Sequence, residues 1–276
     1  MEQTLPAAAP TSSAIHRNPR KTFAAHVRQL AYHVREFFYQ LLRADCIRLC
    51  VAALRYWYFV GLRRRMRTFD LETGDIGVNT VHHNMLGLKK IRGLSVPRSS
   101  LLIYPLSAIR MSKSTPVLCI GPRSEGELLN LMGMGFRNVR GFDLISYSPW
   151  VDLGDMHAMS YADDQFGVVI MGWVIAYSNN RVKAAEEAVR VCRNGGIIAV
   201  GVEWSRESVE EASKRVGYQI CDEKRLQSVA EILELFGDHV DRVFFSHDLP
   251  SHPVQKWQLL VLFSVKKAKE LEKILS

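Results

Sequence analysis

The chain has 276 residues, 47% apolar and 23% charged, a balance that supplies a sizeable core and excludes a chain too polar to fold. Its formal charge of +8 is unevenly placed, because residues 1–70 hold 12 Lys and Arg against 4 Asp and Glu while the rest hold 24 of each. A basic arm on a neutral body does not suit the tracking of a nucleic-acid duplex, so no specific nucleic-acid partner is expected. Cys46, Cys50, Cys119, Cys192 and Cys221 include no CxxC pair, which points to a reducing compartment.

In chain order, residues 1–21 carry Pro6, Ala7, Ala8, Ala9 and Pro10 without the apolar run of a secretory signal, and a short disordered tail is expected. Residues 22–70 form the arm. Phe23, Val27, Leu30, Val34, Phe37, Phe38 and Leu41 recur every three or four positions, the spacing of one helical face. Ile47, Val51, Leu54 and Trp57 continue it towards Arg63, Arg64, Arg65 and Arg67, cations that suit the carbonyl end of a helix. The arm reads either as a helix packed on the main domain or as an interfacial helix whose aromatics and arginines meet an anionic leaflet. Uncharged runs at 49–54 and 56–62 fall far short of the roughly 20 residues of a membrane span, so a cytoplasmic protein, at most peripheral to the inner face of a membrane, is expected. Cys46 and Cys50 share a helical face but lack further ligands, and no metal site is expected.

Residues 71–116, rich in Gly, Asn, Ser and Pro, read as a linker or lid, with His82 and His83 as residues that could touch a substrate or relay a proton. From 117 to 202, short apolar runs closed by Gly or Asp alternate with helical patterns, as in a parallel sheet with crossover helices. Strands are expected at 117–120 before Gly121, 139–142 before Asp143, 151–153 before Gly154, 168–171 before Gly172, and 197–202. Helices are expected from Leu128 and over 180–192, 209–215 and 224–236. Runs at 240–245 and 258–266, joined directly, predict an antiparallel hairpin. His247 and Asp248 lie in its loop, where turn chemistry is the default over general-base chemistry.

A ligand of such a sheet lies across the carboxyl ends of its strands. Asp143 stands 22 positions after Gly121, a spacing that suits a carboxylate bound to ribose hydroxyls. The turn after Gly121 holds Pro122, Arg123, Glu125 and Glu127, which a pyrophosphate would meet poorly. The sulfonium and ammonium of S-adenosylmethionine would meet such carboxylates well. The same acids also stabilise a first helical turn with no ligand at all.

The stretches 117–121, 141–143, 154–157, 163–166 and 184–196 together resemble the core of a class I S-adenosylmethionine-dependent methyltransferase of the small-molecule group. The resemblance implies a Rossmann-like seven-stranded α/β sheet with helices on both faces and an antiparallel C-terminal hairpin, over residues 117–276. It implies that Gly121 and Gly126 line the amino-acid moiety of S-adenosyl-L-methionine, Asp143 binds the ribose, Asp155 and Met156 frame the adenine, and Trp173 walls the methyl donor. Pro122, Arg123, Glu127, Leu144 and Gly172 complete the expected cofactor set, and His157 and Tyr177 are the candidate base and orienting residue. The expected acceptor is a small molecule, glycan or lipid. The turn has fewer glycines than the family usually shows, and Ala176-Tyr177-Ser178 replaces its frequent Glu-His. An inactive binding or scaffold relative is therefore the alternative, ahead of a nicotinamide-dependent oxidoreductase.

Overall fold

The computed structural model describes residues 19–71, 76–95, 97–219 and 224–267. The expected tail lies outside them up to residue 18, as does Cys221. By its own contacts the chain forms two units, Met1–Phe38 and Tyr39–Ser276, so the division does not fall at the composition change near residue 70. Helix α1, Pro19–Leu41, opens on a proline, whose missing N–H removes nothing from a first helical turn.

In the second unit, α2 spans Asp45–Tyr56 and runs on as a π-helical turn, Trp57–Leu62, which stops before the arginines. The buried Arg48 donates to the carbonyls of Leu42 (2.8 Å) and Arg43 (2.9 Å), just before α2, and pairs with Asp45. A two-residue strand, β1 (Arg67–Thr68), pairs with β4 (Ile145–Ser146), and nothing in the alternation of residues announced either.

Residues 71–116 are less of a linker than their composition suggests. They contain α3, Ile76–Leu88, and α4, Ser100–Ala108, whose Leu102, Ile103 and Leu106 are fully buried. A helix apolar on every side shows no amphipathic period, so α4 passed unread.

The remaining strands are β2 (Pro116–Ile120), β3 (Asn138–Asp143), β5 (Val151–Leu153), β6 (Phe166–Gly172), β7 (Cys192–Ser205), β8 (Val240–His247) and β9 (Lys256–Val265). They form one sheet in the order β5-β3-β2-β6-β7-β9-β8. The first five are parallel, and β9 runs antiparallel between β7 and the edge strand β8. The hairpin is therefore present, with its antiparallel member one place in from the edge.

Both faces of the central strands are covered, which explains their unbroken apolar runs. Leu118, Ile120, Val169, Met171, Ile198 and Val200 pack towards α6 (Arg181–Val191) and α8 (Val229–Glu234), while Val117, Cys119, Val168, Ile170 and Ala199 pack towards α4 and α5 (Gly126–Gly133). Helix α8 is shorter than the expected 224–236, because Ser228 caps it by accepting from the Glu231 N–H and residues 224–227 are not helical. Helix α7, Val209–Val216, carries a capping box of Ser208 and Glu211 and ends on Gly217 at φ +84°.

Candidate active site

The strand order reverses between β3-β2 and β6-β7, and a cavity of about 480 Å³ opens above the carboxyl ends of these strands. Of the thirteen residues expected from sequence, Gly121, Pro122, Arg123, Glu127, Asp143, Leu144, Asp155, Met156, His157, Gly172, Trp173 and Tyr177 line it. Gly126 does not. It starts α5 with its N–H on Ser124 Oγ, so its role is in the turn and not in the cavity wall.

The turn after β2 is tightly determined. Gly121 sits at φ +68°, and a Cβ there would lie 2.6 Å from Val174 Cγ2. Arg123 adopts φ +54° and donates its backbone N–H to Asp143 Oδ2 at 2.6 Å, while the Ile145 N–H reaches Oδ1 at 3.2 Å. Burial pushes the Asp143 carboxyl up to about 6, against the pull of these backbone donors.

Glu125 and Glu127 part company. Glu125 is fully buried away from the cavity, held by Arg55 of α2 through bonds of 2.6 and 2.7 Å and by Ser148, so it is not a ligand for a cationic cofactor. Glu127 faces inward beside Gly172 and Cys119. Burial pushes its carboxyl up to about 7, and its Oε1 has no hydrogen-bond partner.

His157 is held at both ring nitrogens. Nδ1 lies 2.6 Å from Asp155 Oδ1 and Nε2 lies 2.7 Å from Ser178 Oγ, which also accepts the Asn180 N–H at 2.9 Å. That network fits an imidazole donating to Asp155 and accepting from Ser178. As placed, both ring nitrogens of His157 are engaged, by Asp155 and by Ser178. Burial pushes the Asp155 carboxyl up, and the bonds from His157 outweigh it, leaving the group below its usual value. Burial pushes the Tyr177 hydroxyl up, keeping it neutral, with Arg98, Glu203, Arg225 and Arg123 as its charged neighbours.

Trp173, at φ +64°, donates its backbone N–H to Gly201 O and its indole N–H to Gln258, and its ring lies 4.7 Å beneath the Arg98 guanidinium. The cover comes from α3 and the end of α7. His83 pairs with the Tyr218 hydroxyl, and Asn79 donates to Gln219 O at 3.1 Å. His83 lines the cavity and His82 does not. His247 and Asp248 also lie outside it, stacked on Trp257 and bonded to the Val229 N–H respectively. Sequence reasoning missed Arg98, Glu203, Glu207, Tyr218 and Arg225, none of which sits in a local motif; only the strand order brings them together.

Residues 137–200 match the family described as Methyltransferase domain. The sheet, whose one antiparallel strand lies between β7 and the edge, is consistent with that match. Over these residues the chain is similar to a methyltransferase domain. The methyltransferase match spans β3 to β7 and so contains Asp143, Asp155 and Trp173. Solved structures also align with it: the MccD protein at 13% identity over 63% of this chain and 100% of its own (TM-score 0.49), and a SAM-dependent methyltransferase of Thermotoga maritima at 17% over 69% and 96% (TM-score 0.42). One from Methanosarcina mazei aligns at 16% identity over 56% of this chain and 94% of its own (TM-score 0.42). No curated protein matches the chain.

Proposed function

We propose that the protein transfers a methyl group from S-adenosyl-L-methionine to a small-molecule, glycan or lipid acceptor. The observation that carries this reading is a pair of buried polar atoms without hydrogen-bond partners, Glu127 Oε1 and Arg123 Nε, on two residues that line the cavity. One accepts and the other donates, the complement of the ammonium and carboxylate of an amino-acid moiety. The residues present thus fit the cofactor that methyltransferases of this class use.

In this reading Asp143 accepts from the ribose hydroxyls, Asp155 and Met156 flank the adenine, and Trp173 closes the wall beside the sulfur. The bound cofactor supplies an electrophilic methyl group on a sulfonium. What the chain contributes is alignment and exclusion of water, the larger share of such a displacement. Tyr177, neutral and pointing at the cavity, orients the acceptor by its hydroxyl.

Calorimetric titration with S-adenosylhomocysteine and separately with NAD tests the proposal. The expected result is saturable binding of the first, weakened at least about tenfold in Asp143→Ala, as loss of a charged hydrogen-bond acceptor predicts. Binding of NAD in preference would favour an oxidoreductase, and binding of neither would leave a scaffold.

We also propose that the protein rests on an anionic membrane surface. The supporting observation is that Leu54, Trp57 and Leu62 are exposed beside the exposed Arg63, Arg64, Arg65 and Arg67. Among the described residues no helix is long and apolar enough to cross a membrane.

A further inference from the structure

The cavity lining carries the acids Glu127, Asp143 and Asp155 and, besides Arg123 and Arg181, the four cations Arg98, Arg215, Arg225 and Lys256 with two further acids, Glu203 and Glu207; Arg98 lies within electrostatic reach of both Glu127 and Tyr177. The two acids do not neutralise the four cations. Glu207 is bonded to Arg215 at 2.9 and 3.1 Å, and it also feels Arg225 and Lys256. Arg98 approaches Glu203 only to 3.9 Å. Among the described residues Arg225 and Lys256 make no ion pair with a carboxylate, and Arg225 Nε is buried with no hydrogen-bond partner. Arg98 and Arg225 both line the cavity and lie within electrostatic reach of the Tyr177 hydroxyl.

A neutral acceptor would leave that arrangement unanswered, with a buried donor unsatisfied and like charges facing each other. A planar or tetrahedral oxyanion answers it, because guanidinium forks bind carboxylate and phosphate oxygens in pairs. We propose that the acceptor carries an oxyanion, carboxylate or phosphate, which Arg98 and Arg225 hold beside Tyr177. The inference rests on the methyl-transfer reading for the word acceptor, but the anion site stands on its own geometry. Lys256 and the Arg215–Glu207 pair line the approach, where a surplus of positive charge draws anions inward.

Ligand-observed NMR titration of the full chain with benzoate, phenyl phosphate and the neutral benzyl alcohol tests this. Each is run with and without S-adenosylhomocysteine, whose own binding is measured in parallel. At least one anion should bind about tenfold or more tighter than benzyl alcohol, with the advantage shrinking as salt is added. Arg225→Gln and Arg98→Gln should each remove most of that advantage, Arg225→Lys should keep part of it, and S-adenosylhomocysteine affinity should hold in both Arg225 variants. The tighter of benzoate and phenyl phosphate identifies the oxyanion. No preference for either anion, or a preference untouched by both glutamine variants, overturns the proposal. Loss of the anion preference with S-adenosylhomocysteine still bound would fall on this proposal alone. Anion preference without S-adenosylhomocysteine binding would keep the site and remove the methyl-transfer reading.

Discussion

Glu127 and Asp143 are the residues on which pH acts. Their carboxyls are raised by burial to about 7 and about 6 from ordinary values of 4.5 and 3.8, so the folded chain binds their protons more tightly than the unfolded chain. Stability from these groups is therefore complete below the unfolded values and is lost as pH rises through about 7. For Glu127 alone the change is about 3 kcal/mol, at 1.36 kcal/mol per unit. Urea unfolding of the ligand-free protein from pH 5 to pH 8 should show that decline, and Glu127→Gln should flatten it. A decline that survives the substitution would assign it elsewhere. Binding of the cofactor ammonium should pull the Glu127 carboxyl down and release protons at pH 6.5, read by calorimetry in buffers of different ionisation enthalpy and absent from Glu127→Gln. Gly121 is the other sensitive position. Its φ of +68° and the 2.6 Å approach of Val174 make Gly121→Ala strained in both backbone and packing. A loss of about 2 kcal/mol or more is expected in the same unfolding experiment.

At the level of elements, the turn after β2 is held from outside the sheet. Arg55 on α2 stacks on Trp150 at 3.5 Å and grips Glu125, which is fully buried, one residue before α5. Gly133 at the other end of α5 lets the Leu42 backbone approach, since a Cβ there would meet Leu42 C at 2.9 Å. Helix α2 is thereby part of the scaffold of the candidate site. Arg55→Ala leaves a buried carboxylate unpaired, and a cost of about 3–5 kcal/mol is expected from the denaturation midpoint. Arg55→Met combined with Glu125→Leu should recover much of it, because an apolar pair needs no partner charge. Failure of the pair to recover would point to the bonds from Ser148 and Tyr147 as the larger contribution. The sequence showed α2 by its periodicity, but could not show that Arg55, off the apolar stripe, reaches a residue 70 positions away.

For the molecule as a whole, the basic surface of 63–67 makes a prediction about association. The protein should sediment with vesicles containing about a third phosphatidylserine and not with neutral ones, binding that salt weakens. Replacement of Arg63, Arg64 and Arg65 by glutamine should weaken it about a hundredfold, at about 1 kcal/mol per cation. Equal binding to neutral vesicles would remove the charge argument. The sheet was legible from sequence because its central strands are buried on both faces, and continuous apolar runs closed by Gly121, Asp143, Gly154 and Gly172 mark their ends. The same ends placed most of the residues that line the cavity. Sequence alone determined the order of strands along the chain and the residues at their carboxyl ends, because both depend on local hydrophobic period and turn chemistry. Tertiary structure alone decided that Glu125 serves Arg55 while Glu127 faces the cavity, that His157 is engaged twice, and that Arg98 and Arg225 line the same cavity as Tyr177. These are contacts between residues far apart in the chain, and their formation depends on strand order and helix packing that no local pattern encodes.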